Sequence, residues 1–156
     1  MAETANIHHV SIGVSDLDRS VGFYRDVLGF REVLRAPFND DGHRHYLRLP
    51  PDTSGEAVAL RRSGPPAAGI TLVRLTGTMP QREPLAATDL GAFLIAFELT
   101  PEAFDQALAA LADFGGRPTT EPTVTPVGDL GHIRAVVVAD PDGFLIELYH
   151  ATEGPA

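Results

Sequence analysis

The chain has no cysteine among its 156 residues. Disulfides and thiolate metal centres are therefore excluded. Positive charge is scarce: 12 Lys and Arg stand against 21 Asp and Glu, a net charge of −9. No basic stripe exists to displace counterions from phosphates, so nucleic acid is not an expected partner. Arg61-Arg62 is the one basic doublet, and it reads as a solvated strand edge. No apolar run approaches a membrane span, so no membrane partner is expected. The opening Met-Ala-Glu-Thr-Ala-Asn lacks the basic start and apolar stretch of a signal peptide, which points to the cytoplasm. A Gly-rich phosphate loop, a Gly-x-Ser-x-Gly elbow and a dinucleotide fingerprint are all missing, which argues against nucleotide and acyl-serine chemistry.

What the chain does have is a near-repeat that loses a histidine. Val10-Ser-Ile-Gly-Val-Ser15 leads into a helical pattern from Asp16 to Leu28, closed by Gly29. Ile95-Ala-Phe-Glu-Leu-Thr100 leads into a second one from Pro101 to Phe114, closed by Gly115. His9 precedes the first strand core and Leu94 the second. In the first strand Val10, Ile12 and Val14 share one face, while His9, Ser11 and Gly13 share the other. Ser15 or Asp16 caps the first helix, whose apolar positions are Leu17, Val21, Tyr24, Val27 and Leu28. Thr100 caps the second, with Pro101 at its first position and Ala103, Ala107, Leu108 and Leu111 as its apolar face.

Further strands are expected at Phe30–Ala36, Tyr46–Leu49, Ala57–Arg61 and Ile70–Leu75 in the first half. The second half offers Leu94–Leu99, Pro118–Val124, Ile133–Val138 and Phe144–Tyr149. Asp41-Gly42 reads as a tight hairpin and Asp140-Pro-Asp-Gly143 as a turn. The first half holds one strand more than the second, implying an insertion or a split strand there. The resulting division is a first module at 1–76, a connector at 77–92 and a second module at 93–156, together one structural domain. The expected class is α+β: two paired βαβββ modules forming a curved mixed sheet around a central cavity. Helices would cover one face of each sheet, and His9 would look into the cavity.

This layout resembles the vicinal oxygen chelate superfamily, which includes glyoxalase I, extradiol dioxygenases and the bleomycin and fosfomycin resistance proteins. The likeness is carried by His9-Val-Ser-Ile-Gly-Val-Ser-Asp-Leu-Asp-Arg-Ser20, by Phe23-Tyr24 and Leu28-Gly-Phe30, and by Asp140-Pro-Asp-Gly-Phe-Leu-Ile-Glu-Leu148. It spans residues 6 to 150. Metal-using members hold one divalent ion with four side chains, on the first and last strands of each half. The resemblance carries those positions to His9, Leu94, Glu147 and Thr71, or to Arg74 if the register slips by three. Only His9 and Glu147 are ligand types, fewer than a divalent ion normally takes.

The expected catalytic pair is therefore His9 and Glu147, working as proton carriers without a cofactor. Histidine exchanges protons near neutral pH, and glutamate can take the complementary role. Should a metal such as Mn, Fe, Ni or Zn be bound, the same two residues are its candidate ligands, helped by His45 or His132. Ser11, Thr71, Leu94, Arg134, Tyr149 and His45 are candidate substrate contacts. Arg134 could grip a carboxylate or pair with a surface acid. His43 and His45 alternate with Arg44 and Tyr46 on an expected strand. The leading expectation is an enzyme isomerising, cyclising or eliminating on a small organic metabolite of secondary metabolism. Rival expectations are a metal-dependent lyase, isomerase or dioxygenase, a non-catalytic drug binder, and a structural pseudoenzyme with a filled cavity. The resemblance also implies a homodimer.

Overall fold

Asp16 begins the first helix, because its carboxylate accepts from the Arg19 N–H at 3.0 Å and so satisfies a donor the helix cannot. This is a computed structural model. It describes residues 7–63, 69–77, 90–92, 94–128 and 131–153. Most of the expected connector at 77–92 lies outside the described residues. Two compact units result, Met1–Gln81 and Arg82–Ala156.

In the first unit the elements run β1 (His9–Gly13), α1 (Leu17–Asp26), β2 (Arg31–Phe38), α2 (Asp41–Tyr46), β3 (Ser54–Arg61) and β4 (Gly69–Thr76). The sheet order is β1-β4-β3-β2. β1 and β4 run parallel and the other pairs antiparallel. Leu17, Val21 and Tyr24 recur at helical spacing and are buried against the sheet. Gly29 stops α1 by taking φ of 71°, and the Phe30 N–H returns to the Tyr24 carbonyl at 3.0 Å. Ile12, Val58, Leu60, Ile70 and Leu72 form the helix-facing side of the sheet, all buried. Val10, expected beside Ile12, is 39% exposed because it lies at the strand's start.

The sequence reading of residues 41–49 is overturned. His43-Arg-His-Tyr46 is no strand and Asp41-Gly42 no hairpin; they form the six-residue helix α2. Asp40 decides this, since its side chain accepts from the His43 N–H at 3.0 Å. Alternation over four residues cannot compete with a cap. Tyr46–Leu49 accordingly ends a helix. The extra element of the first half is thus an inserted helix between β2 and β3.

In the second unit the order is β5 (Leu94–Glu98), α3 (Pro101–Ala110), a 3-10 turn (Leu111–Phe114), β6 (Arg117–Pro118), β7 (Thr123–Pro126), β8 (His132–Ala139) and β9 (Leu145–Thr152). Its sheet runs β5-β9-β8-β6, with β7 also on β8. Thr100 caps α3 by accepting from Ala103 N–H at 3.2 Å. The strand expected at Pro118–Val124 is split into β6 and β7, so the broken strand belongs to the second half. Pro122 has no N–H to give a ladder. Thr119 and Thr120 bridge the gap with their hydroxyls, to the Val137 carbonyl at 2.9 Å and from the Val137 N–H at 3.1 Å. Asp140, fully buried, closes the next turn by accepting from Asp142 and Phe144 N–H, both at 2.9 Å. Among the described residues no helix is long and apolar enough to cross a membrane.

Candidate functional site

Strand alternation gives each sheet a helix-free face, and pairing register arranges that face in transverse rows. In the first unit His9 pairs with Gly69, and Arg61 with Arg31. The second row is Ser11, Thr71, Ala59 and Leu34, and the third is Gly13, Val73, Ala57 and Ala36. In the second unit the rows are Leu94, Leu145, Ala139 and Arg117, then Ala96, Glu147 and Val137, then Glu98, Tyr149, Ala135 and Thr123. Counting rows sets Leu94 at the place of His9, and Glu147 at the place of Thr71. Arg74 pairs with Glu56 on the helix-facing side of its sheet.

His9 is exposed, and its Nδ1 lies 2.9 Å from the Nδ1 of His8. Successive strand residues point to opposite faces, but His8 precedes β1 and its ring turns back to meet His9 edge-on. Arg61 braces this corner. Its Nη1 donates to the His8 carbonyl at 3.0 Å, and its Nη2 lies 3.0 Å from His8 Nε2. A Cβ at Gly69 would come within 1.5 Å of Arg61 Nη1. The missing side chain at 69 is therefore the room that the guanidinium uses.

Glu147 is half-buried between Ala96 and Val137. Tyr149 lies two residues on, on the same face, beside Glu98. A cavity of about 180 Å³ lies along β7 and β8, lined by Thr120, Glu121, Thr123, Thr125 and Ala135 to Val137.

Two expected contacts lie elsewhere. Arg134 pairs with His150 on the helix-facing side of its sheet. It donates to Asp105 at 2.8 Å and stacks 4.7 Å over the Phe104 ring, so α3 holds it. His45 sits exposed on α2, away from any strand. His43 bonds Asp40 through its side chain and its N–H, and these bonds hold the Asp40 carboxyl below its ordinary range, the backbone bond first. His150 is buried against Phe104 and donates from Nδ1 to the Ala151 carbonyl. His132 starts β8 opposite Thr152. Sequence reading missed Arg31, Arg61 and Gly69 as a set. Alternation of Ala57, Ala59 and Arg61 against Val58 and Leu60 was the available signal.

A four-donor divalent site of the kind implied by the resemblance would draw on His9, Thr71, Leu94 and Glu147. Leu94 has no donor atom and Thr71 only a neutral hydroxyl, so this set does not fit such a site. Among the described residues no cluster of three His, Asp or Glu stands ready for a metal.

Comparison with known proteins sets these rows in context. A glyoxalase family protein of Bacillus cereus has a similar structure, with a TM-score of 0.78 at 19% identity, covering 96% of this chain and 97% of that one. The glyoxalase I of Leishmania major, described as trypanothione-dependent, gives 0.61 at 21% identity, over 94% and 87%. A fosfomycin resistance protein of Listeria monocytogenes, solved with Mn(II) and sulfate, gives 0.58 at 17% identity, over 97% and 95%. At these identities the likeness is one of fold. Among proteins of curated function, none matches this chain. The family model matches residues 6–148, taking in both the β1–α1 segment and the strand of Glu147, and the chain belongs to the Glyoxalase/Bleomycin resistance protein/Dioxygenase superfamily.

Proposed function

We propose that the protein is a cytoplasmic, homodimeric enzyme of this superfamily that performs metal-independent acid–base chemistry on a small organic metabolite of secondary metabolism. The reaction class is isomerisation, cyclisation or elimination. One observation carries the reading. At the matched register positions each unit retains one proton-carrying side chain, His9 or Glu147, and replaces the other by Leu94 or Thr71. Such a pair moves protons but makes a poor cation cage. His9 is exposed on its face, free to meet a ligand, and Glu147 sits among apolar neighbours beside Tyr149. Ser11 and Thr71 lie on the face of His9 in the first unit, and Leu94 and Tyr149 on the face of Glu147 in the second.

His9→Ala should cut turnover by roughly 10²- to 10⁴-fold, the usual contribution of one acid–base group. Its unfolding midpoint should stay unchanged, because the ring is exposed. Undiminished turnover would remove His9 from the chemistry. Elemental analysis of the same proteins separates the rivals. Stoichiometric Mn, Fe, Ni or Zn, lost in His9→Ala or Glu147→Gln, would replace this reading by a metal-dependent one. Tight binding of a drug recovered unaltered, with no turnover, would replace it by a sequestering protein.

A further inference from the structure

We propose that the first row of the first unit is an anion subsite, and that the substrate is an organic acid anion with an apolar body. The inference rests on the reading above only in taking the face of His9 as the one that meets substrate.

Arg61 is the centre of the subsite. Its guanidinium fills the place of the absent Gly69 side chain and is held there by the His8 carbonyl, so it is fixed in position. Arginine has five N–H donors in a planar fork. The His8 contacts leave some of them free for a ligand oxygen. Arg31 lies directly opposite Arg61 on the same face. Like charges in a cross-strand pair are destabilising, and a bound anion would relieve that repulsion.

Three other arginines of the unit are neutralised. Arg25 pairs with Asp26, Arg35 with Asp18, Glu32 and Glu56, and Arg44 with Asp41. No carboxylate among the described residues pairs with Arg31 or Arg61. In a chain of net charge −9, this row concentrates positive charge beside His9.

The neighbouring rows give the rest of the ligand. Ser11 and Thr71 come next, followed by Ala59, Ala57, Val73 and the 61% exposed Leu34. Small and aliphatic side chains accept an apolar ring or chain. A carboxylate on Arg61 and Arg31 would lay that body across them and bring its nearest carbons to His9.

The test uses 2-naphthoate and its neutral isostere 2-naphthamide on the full chain, followed by NMR shifts of the Ser11, Thr71 and Ala59 amides. Naphthoate should saturate these shifts with an affinity about tenfold or more above naphthamide, as expected for a charge-assisted fork. Arg61→Gln should abolish the preference, Arg61→Lys should restore part of it, and Arg31→Gln should weaken it independently. The exposed position of Arg31 keeps that variant informative if Arg61→Gln fails to fold. Equal affinity for the two probes, an unchanged preference in Arg31→Gln, or no saturable shift overturns the proposal. His9→Ala keeps the two ideas apart. It should still prefer naphthoate while losing turnover; lost turnover with no anion preference overturns the subsite alone, and a retained preference with undiminished turnover overturns the proton role alone.

Discussion

The two units share their central helix-facing rows and differ in their helix-free rows. Leu60 beside Ile70 corresponds to Val138 beside Ile146, and Val58 beside Leu72 to Val136 beside Leu148. All eight are buried aliphatics. On the other face His9, Gly69, Arg61 and Arg31 correspond to Leu94, Leu145, Ala139 and Arg117, and Ser11 and Thr71 to Ala96 and Glu147. At the centre of each helix-facing side, close packing favours aliphatic bulk. The opposite face escapes that constraint. Charge has accordingly diverged there, basic in the first unit and acidic around Glu98, Glu147 and Tyr149 in the second.

The comparison can be tested at its core, its strand spacing and its charges. Phe104 is the one aromatic residue of α3, completely buried under Arg134 and against His150. α1 presents Phe23 and Tyr24, with Phe30 edge-on to Tyr24. Phe104→Ala should destabilise the second unit by about 3–5 kcal/mol in denaturant unfolding, the range for a buried ring. A cost under about 1 kcal/mol would mean that the ring is not the unit's anchor.

A smaller effect is expected at Gly55, whose place in the second unit is taken by Ile133. In the first unit a Cβ there would meet the Arg74 carbonyl oxygen at 2.1 Å. Gly55→Ala should lower the stability of the first unit by about 1–3 kcal/mol, as other overpacking substitutions do. An unshifted urea midpoint would show that β3 and β4 can separate freely.

The smallest effect is the response to acid. Hydrogen bonds from Arg35 hold the Glu32 carboxyl below its ordinary value, and those from Arg25 do the same for Asp26. A depressed folded value stabilises above the unfolded value, and that stability drains as pH falls through the folded one. Both groups are exposed, so each contribution is small. Amide exchange followed from about pH 5 downward should show the first unit loosening before the second, whose described part has the Arg134–Asp105 pair. Loosening of the second unit first would contradict this charge inventory.

The parts of the fold legible in sequence were those with local causes. Asp16, Thr100 and Pro101 mark helix starts by capping chemistry, and the 140–143 turn follows from Asp140, Pro141 and Gly143. His9 stood out through the near-repeat that sets it against Leu94, and Glu147 through the family resemblance of the segment 140–148. Helix α2 was misread because four residues of alternation fit both periods, although Asp40 offered a cap. Arg134 could not be placed, since its partners Asp105 and Phe104 lie about thirty residues back along the chain. The Arg61–Gly69–His8 corner was hidden for a similar reason, as three strands must come into register before an absent side chain becomes space.

Register also shifts between Glu32 and Leu34, where β2 carries one residue too many for its partner. A regular strand would have put Arg35 opposite Ala57 on the helix-free face. The extra residue turns it over, opposite Val58, where Asp18 of α1 waits at 3.1 Å and Glu56 at 3.6 Å. The bulge thus acts as a sorting gate for charge. One inserted residue sends a cation into the scaffold, tying helix to sheet, and puts Leu34 on the face it leaves. Positive charge stays gathered at one end of that face, and a molecule arriving there meets a surface with a head and a tail.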